Sequence, residues 1–147
     1  MSDIDSEVVL VRIRLMTKYL NTLEPCRSMS LDEYLGDFRQ QLIVERLLQL
    51  LAEASLDMNK YLLSQLYNIN PATNFDSFSE AGRQGIINQD LAANLAQAVG
   101  MRNILVHQYK DIDSRIVFSA IPKALKQYPL YIQQVTAYLD SLGAENG

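Results

Sequence analysis

With 147 residues, 48% of them hydrophobic and 20% charged, the chain has enough apolar material for one packed core and too little length for two comfortable domains. That composition excludes general disorder, and a single cysteine, Cys26, excludes an internal disulfide or a thiolate cluster and fits a reducing compartment. The formal net charge of −4 excludes a broadly basic polyanion binder, which would need a face that neutralises several phosphates. No leader-like pattern opens the chain, and no apolar run approaches the roughly 20 residues of a membrane helix. A cytoplasmic protein with no membrane association is expected.

In chain order, Ile4 to Leu23 reads as an amphipathic helix with Val8, Val11, Leu15, Tyr19 and Leu23 on one stripe, ending at Glu24-Pro25. Ser30 with Glu33 three residues later is a capping-box pattern. From it a helix of about 35 residues is predicted through Phe38, Leu42, Val44, Leu47, Leu51, Met58 and Leu62, irregular near Gly36 and ending before Asn70-Pro71. A short helix follows from about Asp76 to Arg83, closed by Gly85. Asn88 caps a fourth helix that carries Leu91, Leu95, Ala98 and Val99 past Gly100. Asp113 caps the last one, which Pro122 and Pro129 should kink or divide. The prediction is an all-α bundle of about five helices, one domain over residues 1–147, with 143–147 frayed.

The chemistry-bearing segment is Arg102-Asn103-Ile104-Leu105-Val106-His107-Gln108-Tyr109, which holds the one histidine of the chain. Imidazole is the side chain that changes charge near neutral pH without perturbation, and guanidinium is a permanently charged fork matched to phosphate oxygens. Together they supply proton transfer and charge stabilisation for phosphodiester cleavage with no metal and no cofactor. On an unbroken helix, however, five residues leave His107 about 140° round the axis from Arg102. Convergence therefore needs either a helix that loosens after about Leu105 or a groove shared with a second subunit. A lone histidine also suggests that two chains meet at the site. On the long helix Arg46, Gln49, Glu53 and Asp57 recur at steps of three and four, so Glu53 or Asp57 could orient Arg102 and Arg46 could meet a ligand or a second subunit. A solvated, salt-bridged face explains the same pattern, and simple packing at a helix end explains Tyr109.

Met101 to Tyr109 resembles the Arg-x4–6-His signature of HEPN-domain ribonucleases, including the trailing His-x-Tyr of the HepT-like toxins. Phe78-Ser79-Glu80-Ala81-Gly82-Arg83-Gln84-Gly85-Ile86-Ile87 is similar to the connecting segment of that family, Glu45-Arg46 with Glu53 resembles its polar stripe, and Asp113 to Leu142 resembles its final helix. The resemblance implies an all-α homodimer with a composite cleft that cuts RNA without a metal and leaves a 2′,3′-cyclic phosphate, transfer RNA being one candidate substrate. It further implies a minimal nucleotidyltransferase antitoxin that transfers AMP to the tyrosine. Carried over, Arg102 and His107 are catalytic, Asn103 supports them, Glu53 and Arg46 stand behind them, and Tyr109 is the modified residue. Pro122 and Pro129 depart from the pattern of an unbroken final helix. The alternative is a catalytically silent HEPN subunit that binds nucleotide or serves as a scaffold for the transferase, a reading to which the acidic balance lends weight.

Overall fold

The computed structural model describes residues 4–107 and 112–146, with the side chains of 101–107 and 144–146 outside what it describes. Among the described residues the regular structure is helical throughout. The helices are α1 (Ser6–Leu23), α2 (Leu31–Leu35), α3 (Phe38–Tyr67), α4 (Asn74–Arg83), α5 (Gln89–His107) and α6 (Ser114–Asn146), with a 3-10 turn over Glu24–Ser28. α3 is the central element, packing against α1, α4, α5 and α6. Each start has a local cause. Asp5, Asp37, Thr73 and Asn88 accept from the backbone amides of Glu7, Gln40, Asp76 and Leu91 at 2.8–3.0 Å. Ser30 and Glu33 form the reciprocal capping box.

The predicted second helix is two helices. A break at Gly36-Asp37 separates α2 from α3, because Asp37 begins a new cap within the pattern. α3 ends at Asn68 in the left-handed conformation, φ 54°, earlier than the Asn70-Pro71 signal. Its buried line includes Val44, Leu47, Leu51, Met58 and Leu62. Each large side chain there contributes about 1.5–3 kcal/mol against about 1 kcal/mol for a cap, so packing holds this helix and Asp37 decides where it begins.

Two predicted stripes are corrected. On α1 the buried residues are Val9, Met16, Leu20 and Leu23, while Val11 and Leu15 are 52% and 41% exposed. The apolar residues of α1 form two neighbouring lines, and the core takes the one about 100° further round. On α3, Phe38 and Leu42 are exposed, since at 100° per residue they lie about 120° and 160° round the axis from Val44 and Leu62. The buried line of α6 includes Val117, Ile121, Tyr131 and Val135, with Ile116 exposed.

Pro122 and Pro129 do not divide α6, which runs unbroken from Ser114 to Asn146. Both rings are exposed and seven residues apart, two turns along one solvent-facing line. With both rings on the solvent side, neither has to be packed into the core. The helix also continues over 143–146, where frayed ends were expected. Gly85 closes α4 with φ +78°, a conformation that suits glycine. At Gly82 a Cβ would stand 3.0 Å from that of Ala92, which explains a residue without a side chain where α4 and α5 approach.

Candidate active site

α5 is the element that builds the site. Asn88 anchors its start twice over: its side chain accepts from Leu91 N–H, and its own N–H donates to Gln134 Oε1 of α6 at 2.8 Å. Leu91, Ala92, Leu95, Ala96 and Val99 form its buried line. Positions 102 and 103 stand three and four residues beyond Val99, so the helical repeat carries Arg102 and Asn103 onto the continuation of that line. Core registers upstream thus give way to a cation and an amide over the last turns of the helix. α5 is helical through His107, and the expected helix end inside the motif lies outside the described residues.

That continuity bears on the first of the two geometric routes. α5 does not loosen after Leu105, so the positions of Arg102 and His107 remain about 140° apart on one axis. His107 is helical, so it does not stand in an extended stretch sharing a side with Tyr109. Tyr109 itself lies outside the described residues, as do the side chains of Arg102, Asn103 and His107.

The two supporting residues sit on α3, which packs against α5. Arg46 is exposed and Glu53 half-buried, with Glu53 Oε1 accepting from Gln49 Nε2 at 3.4 Å. Gln49 and Glu53 therefore lie at the margin of the helix packing, with Arg46 and Asp57 on the solvent side. At Glu45, the residue before Arg46, burial pushes the carboxyl above the usual carboxylate range, and burial likewise raises the Cys26 thiol. Cys26 is 3% exposed, a core residue as its small apolar character suggests. Among the described residues no cluster of His, Cys, Asp and Glu is placed to hold a metal ion.

A buried polar network escaped the sequence reading. Tyr131 of α6 bonds through its hydroxyl to the carbonyl of Ser55 and to Asn59 Oδ1, and Asn59 Nδ2 donates to Ser77 Oγ of α4 at 3.3 Å. Ser55, Asn59 and Ser77 are fully buried, so the network locks α3 to α4 and α6 beneath the α5 layer. The available signal was Ser55 and Asn59 at a four-residue step inside an apolar register.

A groove of about 230 Å³ opens between α3, α5 and α6. Asn94 and Gln97, upstream of Arg102 on α5, stand on its rim. No helix among the described residues is long and apolar enough to cross a membrane.

Comparison with known proteins bears on this arrangement. Residues 13–135 match the family model described as Ribonuclease HepT-like. A tRNA nuclease HepT of Aphanizomenon flos-aquae is 45% identical over 146 residues, covering 99% of both chains. An mRNA nuclease HepT of Shewanella oneidensis is 30% identical over 105 residues, 71% of this chain and 79% of that one. The fold superimposes on a tri-AMPylated Shewanella oneidensis HEPN toxin solved in complex with an MNT antitoxin, with a TM-score of 0.82 and 25% identity, covering 91% of this chain and 99% of that one.

Proposed function

Because the chain belongs to the HepT-like ribonuclease family, we propose that it is a toxin endoribonuclease acting on transfer RNA, paired with a nucleotidyltransferase antitoxin. The observation that carries this reading is the near full-length relationship to a tRNA nuclease at 45% identity. The motif context supports it, since positions 102 and 103 stand three and four residues beyond the buried Val99 on the same helix.

In the proposed reaction His107 takes the proton of a ribose 2′-hydroxyl, whose oxygen attacks the adjacent phosphorus. Arg102 stabilises the charge that builds on the phosphoryl oxygens, and the 5′-oxygen leaves with a proton from a second His107 or from water, giving a 2′,3′-cyclic phosphate. The step requires no metal and no cofactor. Asn103 supports the phosphate contact, Glu53 positions Arg102, and Arg46 faces the RNA or the second subunit. The separation of Arg102 and His107 around one helix favours a homodimer in which each cleft draws on both chains. AMP transfer from ATP to the Tyr109 oxygen, releasing pyrophosphate, would place a nucleoside and negative charge where the RNA backbone has to lie.

The test is cleavage of end-labelled transfer RNA by purified, unmodified protein in excess chelator, beside His107→Ala. Defined fragments with cyclic-phosphate ends from the wild type alone are expected. Equal cleavage by His107→Ala would remove His107 from the reaction. No cleavage by either protein, with Tyr109 free of adduct, would favour the silent scaffold. With the antitoxin and ATP, wild type should gain AMP mass and Tyr109→Phe should not.

A further inference from the structure

The groove between α3, α5 and α6 has a composition that the cleavage chemistry does not use. Its rim carries Asn94, Gln97, Lys123 and Gln127. None of these four takes part in a hydrogen bond or ion pair among the described residues. Its floor is apolar, formed by Leu48 and Ala124 with Tyr128. Tyr128 is only 3% exposed, yet its hydroxyl makes no hydrogen bond with any described residue. Tyr128 lines the groove, so its hydroxyl adds a donor and an acceptor to those of the rim.

We propose that this groove is a nucleobase subsite for the single-stranded RNA that the motif cuts, an inference that rests on the nuclease reading above. Three observations point to a base. The volume, about 230 Å³, lies below the roughly 300–1,000 Å³ of pockets for larger ligands and suits one planar ring system. Three side-chain amides each offer a donor and an acceptor, the capability that reading a base edge requires. Lys123 supplies one positive charge for the attached phosphate, enough for a local contact on a chain of net charge −4. Placement agrees with this: the groove lining reaches Ile116 at the start of α6, nine residues beyond His107, while Gln97 lies about 7.5 Å along α5 and about 140° round it from Arg102. A base held by Gln97, Gln127 and the Tyr128 hydroxyl would therefore set which phosphate reaches the motif, making these residues determinants of specificity.

The experiment compares wild type, Gln97→Ala/Gln127→Ala and Tyr128→Phe on oligoribonucleotides of one length that differ in a single base beside the cleavage point. Binding of the same oligonucleotides is measured in parallel by fluorescence anisotropy in the His107→Ala background, a readout independent of turnover. Wild type is expected to favour one base by about tenfold. The double variant should lose most of that preference, with KM for the favoured base rising more than kcat falls. Tyr128→Phe, which keeps the ring and its packing, should lose part of it. Unchanged base preference in both variants overturns the subsite. So does loss of dimerisation with base preference intact, which would make the groove a protein interface. Cleavage absent while base-selective binding is lost in the variants would sink the nuclease reading and leave the subsite standing. No RNA binding by any form overturns both.

Discussion

Asn59 carries more of the fold than its single side chain suggests, because it joins Tyr131 of α6 to Ser77 of α4 inside a core that water does not reach. Removing one partner leaves another buried group unsatisfied. Tyr131→Phe is predicted to cost about 1–3 kcal/mol in denaturant unfolding. Because replacing both partners removes the orphan, Asn59→Leu in that background should cost less than the sum of the single changes; simple additivity would refute the coupling. Glu45 works in the opposite sense. Burial raises its folded-state pKa above the ordinary glutamate value, so the folded chain holds that proton more tightly than the unfolded chain. The resulting stability is fully present below about pH 4.3 and is lost as pH rises through the raised folded value. Glu45→Gln is therefore predicted to raise Tm at pH 7.5 and leave it little changed at pH 4, and an equal shift at both pH values would rule out the titration as the cause.

Two glycines on neighbouring helices separate packing from propensity. A Cβ at Gly82 would stand 3.0 Å from the Ala92 Cβ, where α4 and α5 meet, whereas one at Gly100 on α5 would enter open space. Gly82→Ala is predicted to destabilise by about 1–3 kcal/mol through overpacking. Gly100→Ala should stabilise by about 0.5–1 kcal/mol, since alanine is the better helix former. Thermal or denaturant unfolding of the pair checks both, and the same sign for both would remove the packing argument. At this scale the capping residues were legible beforehand. Ser30, Asn88 and Asp113 each accept the amide bond their position predicts, because a cap is a contact within four residues and depends on nothing distant.

For the whole molecule a continuous α5 predicts a trans site. Arg102→Ala and His107→Ala proteins should each be inactive alone. If each cleft takes Arg102 from one chain and His107 from the other, unfolding and refolding the two together should restore about a quarter of wild-type cleavage, since half of randomly paired dimers are mixed and each has one intact cleft. No recovery from verified mixed dimers would show that the two residues act within one chain, or that both copies of each are needed.

The sequence by itself determined the helical class, the order of the elements and most of their boundaries, and it singled out the segment proposed to carry the chemistry. Those follow from local periodicity, caps and one uncommon residue pairing. Tertiary structure alone decided which of two apolar lines on α1 is buried, since Val9 and Val11 are equally hydrophobic and only the neighbouring helices tell them apart. It also decided that Phe38 and Leu42 stay outside, that α6 runs unbroken through two prolines whose rings face solvent, and that Asn59 meets Tyr131 across 72 residues of chain. Contacts so far apart in sequence leave no local pattern, and they close only when the helices pack.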